Sequence, residues 1–270
     1  MLTVRPLRTL GAMRRAFKNW PLCGVAALAI NHLQAKGLKI KWSTRGGTTI
    51  CAPPGDGGWT AVEVYAQDCY GLNALLHGVL HPRIIDIGAN IGSFSLTVVE
   101  KFDARVLAFE PAPKAFAYLR HNTKVNRCDA KIDSARAAVV GKCGNGKAEL
   151  YERSYSSDRS SFYFDSAVDG SAGCWISVPT VSLDAVLSRE PATVDLLKMD
   201  IEGSEYEVLL NTSPANLKKV SAIVLEYHPM KPHTVGDLKI CLAAAGFSMT
   251  RHERLAPGLG ILWFSNESVN

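Results

Sequence analysis

The chain lacks the cysteine patterns that mark a disulfide-rich or zinc-stabilised protein. Its seven cysteines are odd in number, widely scattered and include no C-x-x-C pair. Disulfide frameworks and structural zinc sites both need regularly spaced cysteines, so neither is expected here. The pattern predicts reduced thiols in a cytoplasmic protein.

A membrane-spanning run is also missing. The apolar stretch from Leu22 to Ile30 is shorter than the roughly 20 apolar residues that a spanning helix needs. It follows Arg14-Arg15-Ala16-Phe17-Lys18, which resembles a twin-arginine export signal, but its continuation through His32 and Leu33 favours an amphipathic helix. We therefore predict no transmembrane segment.

The charge is modest, at a formal net value of +5, and the basic residues are concentrated near the start of the chain. Such a start could touch nucleic acid or an acidic membrane surface, but a solvated basic tail is the favoured interpretation. We expect no nucleic-acid partner, while peripheral membrane contact stays open.

The chain has the composition of an ordinary globular protein, with 270 residues, 47% hydrophobic and 20% charged. Residues 1–79 are predicted to form a small α+β cap of helices and one hairpin. Residues 80–270 are predicted to form the main domain, because strand-like and helix-like segments alternate there until a closing antiparallel pair. The expected fold class is α/β, with a Rossmann-like, mostly parallel sheet and helices on both faces.

The stretch from Arg83 to Pro111 is the most informative unit of the sequence. A β-branched run up to Ile87 opens into a turn containing Gly88 and Gly92, where glycines permit a tight turn and close approach of a ligand. Ser93 is placed to cap the helix that follows, and a second strand ends at Glu110. This pattern predicts a nucleotide site at the carboxyl edge of the sheet.

The turn does not have the G-x-G-x-x-G pattern of dinucleotide-binding proteins, because Asn90 stands at the second glycine position. Asp86 just before the turn would repel a pyrophosphate but could hold an ammonium group. The turn therefore favours the methionine end of S-adenosylmethionine over NAD. Glu110 is predicted to bind the ribose hydroxyls, and the chain of small residues around Ala137 is expected to run alongside the adenine.

Five segments then resemble one family in order along the chain: IIDIGANIGSFSL, VLAFEPAPKAFAYLRHN, VSLDAVL, VDLLKMDIEGSEYEVL and IVLEYH. They resemble the FkbM family of S-adenosylmethionine-dependent methyltransferases. The resemblance implies a class I methyltransferase fold and methyl transfer to oxygen, often on a sugar, a glycan or a natural product. Methylation of nucleic acid or protein, a non-catalytic nucleoside-binding module and a NAD-dependent oxidoreductase remain alternative hypotheses.

Methyl transfer to a hydroxyl needs a group that orients the acceptor and removes its proton. Asp200 and Glu202 follow a predicted central strand and should lie beside the donor's methyl group, while Glu205 is expected only to favour a helix N-terminus. His228 ends the next strand, and its ordinary pKa of about 6.5 makes it the best general-base candidate. Asp200, His228 and Glu226 could alternatively bind a divalent metal, although no metal is predicted.

The segment from Glu152 to Trp175 shows no convincing periodicity and contains seven serines. A long connection of this kind is often a functional lid or a disordered insertion. We expect a lid that faces the substrate, with Arg159 as a contact for an acidic acceptor.

Overall fold

A computed structural model describes residues 6–21, 40–53, 58–153 and 173–266 of the chain. The strands are β1 Ile40–Ser43, β2 Thr49–Ala52, β3 Arg83–Ile87, β4 Arg105–Phe109, β5 Ile132–Ala135, β6 Ala138–Val140, β7 Lys147–Arg153, β8 Gly173–Ser182, β9 Val194–Met199, β10 Val220–Tyr227, β11 Ser248–Ala256 and β12 Leu259–Ser265. The helices are α1 Pro6–Ala16, α2 Gly58–Ala61, which continues into a π-helical turn Val62–Ala66, α3 Leu72–Leu75, α4 Ser93–Phe102, α5 Pro113–Val125, α6 Leu183–Arg189, α7 Glu205–Leu210, α8 Pro214–Leu217 and α9 Val235–Ala244.

Seven strands form the main sheet in the order β11-β12-β10-β9-β3-β4-β5. The five strands from β10 to β5 are parallel to one another, and β12 runs antiparallel between β10 and β11. This arrangement confirms the predicted α/β class and the closing antiparallel pair. The carboxyl ends of β3, β4, β9 and β10 consequently meet at one edge of the sheet.

Alternation along the central strands divides the interior into two layers. Ile84 and Leu196 point into the layer beneath α4 and the N-terminal segment, whereas Ile85 and Leu197 point into the layer beneath α6, α7 and α9. Successive side chains of a strand face opposite sides, so near-continuous apolar runs are the sequence of a sheet buried on both faces. Asp86 and Lys198 interrupt these runs at paired positions of β3 and β9, on the same face as Ile84.

The N-terminal segment packs into the same layer as α4. Phe17, Trp42 and Tyr65 are buried together, with ring centroids 5.0 Å and 5.6 Å from Phe17. The Tyr65 hydroxyl donates to Glu100 of α4, and Thr44 donates to the other oxygen of that carboxylate at 2.7 Å. The aromatic residues of this segment thus act as anchors, and the division into two domains stays a prediction.

Several expectations about local structure were wrong. The connection after β7 was expected to lack regular structure to Trp175, but β8 begins at Gly173 and pairs antiparallel with β7. β8 was missed because its buried residues do not alternate regularly, and its order comes from pairing with β6 and β7. Residues 154–172, including Arg159 of the expected lid, lie outside the described residues, as do 22–39.

One helix start also differs from expectation. Ser93 is the first residue of α4 and makes no capping bond, because Gly92 occupies the cap with φ of +89°. Glu205, which was expected to favour a helix N-terminus, is the first residue of α7, and Glu202 and Gly203 before it adopt positive φ values of 54° and 104°.

Within the described ranges, no helix is long and apolar enough to cross a membrane, and the six cysteines there are free thiols.

Two asparagines of α5 hold β2 by its backbone, as a neighbouring strand would. Asn122 is fully buried; its Oδ1 accepts from Cys51 N at 2.8 Å, and its Nδ2 donates to Cys51 O and Ile91 O at 2.9 Å. Asn126 makes the equivalent pair of bonds to Thr49 at 2.7 Å but is half-buried.

We expect Asn122→Ala to lower the free energy of unfolding by about 2 kcal/mol, because it leaves buried backbone groups without partners. Asn126→Ala is the matched control and should have a smaller effect, since water can replace its bonds. Urea unfolding of both variants measures the difference, and equal losses would contradict the importance of burial.

Candidate active site

The turn after β3 is held against the end of β4 by its own backbone. Gly88 N and Ala89 N both donate to Phe109 O, at 3.0 and 2.9 Å. Asn90 adopts φ of +49°, a left-handed conformation that asparagine tolerates better than most residues. This geometry directs Asn90 N toward Glu110, whose Oε2 accepts from it at 2.8 Å.

A cleft of about 680 Å³, including its open mouth, runs along the carboxyl edge of β3, β4 and β9. The residues that line the cleft are Thr60, Ile87, Gly88, Asn90, Phe109, Glu110, Pro111, Ala137, Ala138, Val139, Leu150, Asp200, Ile201 and Glu202. Six of the predicted site residues therefore share one cavity: Gly88, Asn90, Glu110, Ala137, Asp200 and Glu202.

Glu110 forms one wall of this cleft. Its second carboxylate oxygen accepts from Ala112 N at 2.8 Å, so each oxygen is fixed by one backbone amide and keeps further lone pairs free. Burial raises the pKa of Glu110 to about 7, although the bonds from Ala112 and Asn90 oppose the shift. A carboxylate with this fixed orientation can accept hydrogen bonds from a diol.

Asp86 is not in the cleft and has a different partner from the predicted ammonium group. It is fully buried; its Oδ2 accepts from Ser95 Oγ at 2.7 Å, and its Oδ1 lies 3.2 Å from Lys198 Nζ. Lys198 also donates to Gly88 O at 2.8 Å. Nearby charges, chiefly Asp86, outweigh the effect of burial and raise the pKa of Lys198. The pair thus fastens the turn to β9 from below.

Gly88 and Gly92 serve packing more than ligand approach. A Cβ on Gly88, whose φ is +77°, would lie 1.8 Å from the backbone oxygen of Asp200. A Cβ on Gly92 would lie 2.7 Å from Leu119 Cδ1, and Gly92 is not among the lining residues. These glycines allow the turn to meet β9 on one side and α5 on the other.

Asp200 lies just beyond β9, where its amide donates to Ile87 O at 3.1 Å. Its Oδ2 accepts from the hydroxyl of Tyr70 at 3.2 Å, and Tyr70 is itself buried against the edge of Phe94. Asp200 and Glu202 both line the cleft, as predicted. The hydroxyl of Tyr70, from the N-terminal segment, orients Asp200.

His228 is held by glutamates on both ring nitrogens. Nδ1 lies 3.1 Å from Glu205 Oε1, and Nε2 lies 3.5 Å from Glu202 Oε2 and 3.9 Å from Glu226 Oε1. Burial alone would lower the pKa of His228, but the hydrogen bond and charge of Glu205, with Glu202 and Asp200, raise it to about 10. The ring is therefore an imidazolium near neutral pH, which is a different role from the predicted general base.

Glu205 is more than the helix-terminal charge that its position suggests. It is fully buried and accepts hydrogen bonds from Ile201 N at 3.0 Å and from Gly203 N at 3.0 and 3.3 Å. The same carboxylate that binds His228 therefore holds the turn that carries Glu202.

Asp200, Glu226 and His228 converge at this edge, with one side-chain ligand atom from each lying within 4.8 Å of the others. A metal would need a lone pair on His228, whereas the glutamates around the ring favour its protonated form. Burial and the charge of Asp200 raise the pKa of Glu226 to about 8, despite the opposing charge of His228. The geometry favours a cluster of carboxylates around one imidazolium over a metal site.

Sequence reasoning missed the site contributions of Lys198, Glu205 and Thr60. A signal existed for Lys198, because Asp86 and Lys198 each precede the last residue of neighbouring strands. No comparable signal existed for Thr60, which reaches the cleft from a segment distant in sequence.

Comparison with known proteins gives a consistent result. The sequence model described as the methyltransferase FkbM domain matches residues 86–249, more than half of the chain. The 31-O-demethyl-FK506 methyltransferase FkbM of Streptomyces tacrolimicus is 29% identical over 238 residues, covering 77% of this chain and 88% of that protein. The hexuronic acid methyltransferase AglP of Haloferax volcanii is 28% identical over 144 residues, covering 53% of this chain and 54% of that protein.

Among solved structures, the chain matches the magnesium protoporphyrin IX methyltransferase of Synechocystis PCC 6803 with bound SAM. It has 11% sequence identity and a TM-score of 0.42, and the match covers 74% of this chain and 77% of that chain.

We expect Gly88→Ala to abolish or strongly weaken ligand binding at the cleft, because the new Cβ would push the turn away from Asp200. Gly78→Ala is the matched control: Gly78 has the same φ of +77°, and nothing lies within 4 Å of its Cβ position. Both variants carry the same backbone strain of about 1 kcal/mol. Calorimetric titration with S-adenosylhomocysteine compares them, and similar affinities would contradict the steric argument.

Proposed function

Because the chain belongs to the FkbM family of S-adenosylmethionine-dependent methyltransferases, we propose that it methylates a hydroxyl group on a sugar, a glycan or another natural product. The observation that supports this most is the cleft itself, which brings Asn90 and Glu110 together with a pair of carboxylates, Asp200 and Glu202, at the same sheet edge.

The cradle residues fit the donor. Asn90 Oδ1 lies beside the cleft and is buried without a hydrogen-bond partner among the described residues, so it can accept a hydrogen bond from a bound ligand. Glu110 is oriented to accept from the ribose hydroxyls, and Ala137 with its apolar neighbours offers a flat wall for adenine. When bound, S-adenosylmethionine supplies a methyl group activated by its positively charged sulfur.

The methionine end of the donor is assigned to different residues from those expected. Lys198 neutralises Asp86, so Asp86 positions the turn and contacts no ligand. Asp200 is the accessible carboxylate at that end of the cleft, and Gly92 acts only through packing.

The acceptor's proton is assigned to Asp200 or Glu202, both of which line the cleft. Because the surrounding carboxylates favour the protonated ring, we assign His228 to holding Glu202 through Nε2 and the 201–203 turn through Glu205. Fixing a general base in this way keeps it in reach of a hydroxyl without reorganisation.

The proposed class of acceptor is inferred from the names of the relatives. Their names describe methylation of a natural product at oxygen in one case and of a hexuronic acid in the other. A hydroxylated small molecule or glycan is the acceptor class that accommodates both.

The test is incubation of the purified protein with methyl-labelled S-adenosylmethionine and a panel of neutral sugars, uronic acids, macrolides, RNA and protein. We expect label on a hydroxyl oxygen, accompanied by an equal amount of S-adenosylhomocysteine. Asp200→Asn and Glu202→Gln should lower turnover by about a hundredfold for whichever residue takes the proton. Label only on RNA or protein would overturn the proposed acceptor class.

Glu110 predicts a pH dependence that can be measured without an acceptor. Its carboxylate binds ribose hydroxyls best when ionised, and its pKa of about 7 in the folded protein lies above the ordinary value. Affinity for S-adenosylhomocysteine should therefore be full near about pH 8 and fall as the pH drops through about 7. Glu110→Gln should bind more weakly at the higher pH and lose this dependence; an unchanged profile would refute the assignment.

A further inference from the structure

The edge of the sheet next to the cleft has an excess of carboxylates. A carboxylate oxygen of Asp200 lies within 4.8 Å of one on Glu226, although the two residues end different strands. Glu226 is only 23% exposed in its side chain, so water screens this repulsion incompletely. Two carboxylates this close are unfavourable unless a positive charge joins them.

Among the described residues, acidic groups outnumber the cations that act on this pair. The charges of Asp200, Glu202 and Glu63 act on Glu226 together with His228, which already binds Glu205 and Glu202. Lys198 also acts on Asp200 and Glu226, but its ammonium group is ion-paired with Asp86. The thiol of Cys69 and the phenol of Tyr70 face the same carboxylates and carry no positive charge.

We propose that Asp200 and Glu226 together recognise the positive charge of the donor's sulfonium, so that the site binds S-adenosylmethionine more tightly than the neutral thioether S-adenosylhomocysteine. The inference rests on the donor placement of the proposed function and deepens it. Asp200 lines the cleft directly, and Glu226 acts from behind it.

The proposal has a thermodynamic consequence. Repulsion and burial keep a proton on Glu226 for part of the time near neutral pH. A cation arriving beside it favours the ionised form, so binding of the charged donor should release that proton. The neutral product brings no such charge and should release none from this group. The site would thus hold the donor and let the spent product leave.

The experiment is calorimetric titration of the full chain with S-adenosylmethionine and with S-adenosylhomocysteine at about pH 7.5, in EDTA to remove divalent cations. Repeating each titration in buffers of different ionisation enthalpy gives the protons released per ligand. We expect up to about one proton for S-adenosylmethionine beyond the value for S-adenosylhomocysteine. The wild-type protein should bind the charged ligand about tenfold more tightly, which corresponds to about 1.4 kcal/mol.

Glu226→Gln removes the charge with little change of shape. It should weaken S-adenosylmethionine about tenfold, leave S-adenosylhomocysteine unchanged and abolish the extra proton release. Glu149→Gln is the matched control, since Glu149 is exposed on β7, and it should behave as wild type.

Equal weakening of both ligands in Glu226→Gln would overturn the proposal, because the carboxylate would then act on a part common to both. Equal affinities and equal proton release in the wild-type protein would overturn it as well, while leaving the methyltransferase assignment intact. Failure of both ligands to bind the wild-type protein would instead count against the donor placement on which the inference rests.

Discussion

The buried ion pair between Asp86 and Lys198 is the constraint on which the site depends. The two residues are paired in register on β3 and β9, on the same face, beneath α4. Two buried charges are tolerated only when each is neutralised and hydrogen-bonded, which Ser95 and the carbonyl of Gly88 accomplish. The backbone ladder sets the spacing of the two strands, and the pair fastens the glycine turn to β9 through the bond from Lys198 to Gly88 O, next to Asp200.

The two ends of the cleft have different physical character. Around Glu110 the wall is largely apolar, with a single carboxylate held by backbone amides. Around Asp200 the wall is acidic, and the half-buried ring of His228 lies between the carboxylates of Glu205 and Glu202.

The N-terminal segment is part of this construction although it precedes the residues matched by the family model, 86–249. Thr60 contributes to the cleft, and Tyr70 donates to Asp200. The segment shares one hydrophobic core with α4 and the sheet. It thus supplies part of the wall of the cleft and a hydrogen bond to Asp200.

Local patterns in the sequence were enough to predict the α/β architecture and the sheet edge at which the candidate site lies. These patterns are alternating apolar runs, glycine turns and strand-terminal acids, and the rule that parallel strands end at one edge was enough to bring Gly88, Asn90, Glu110, Asp200 and Glu202 together. The pairing of charges, in contrast, depends on tertiary contacts. Asp86 pairs with Lys198, and Glu205 pairs with His228. The distances within these pairs depend on strand register and burial, which arise from contacts between segments far apart in the chain. For the same reason the protonation of His228, which follows from three surrounding carboxylates, could not be derived from its own place in the sequence.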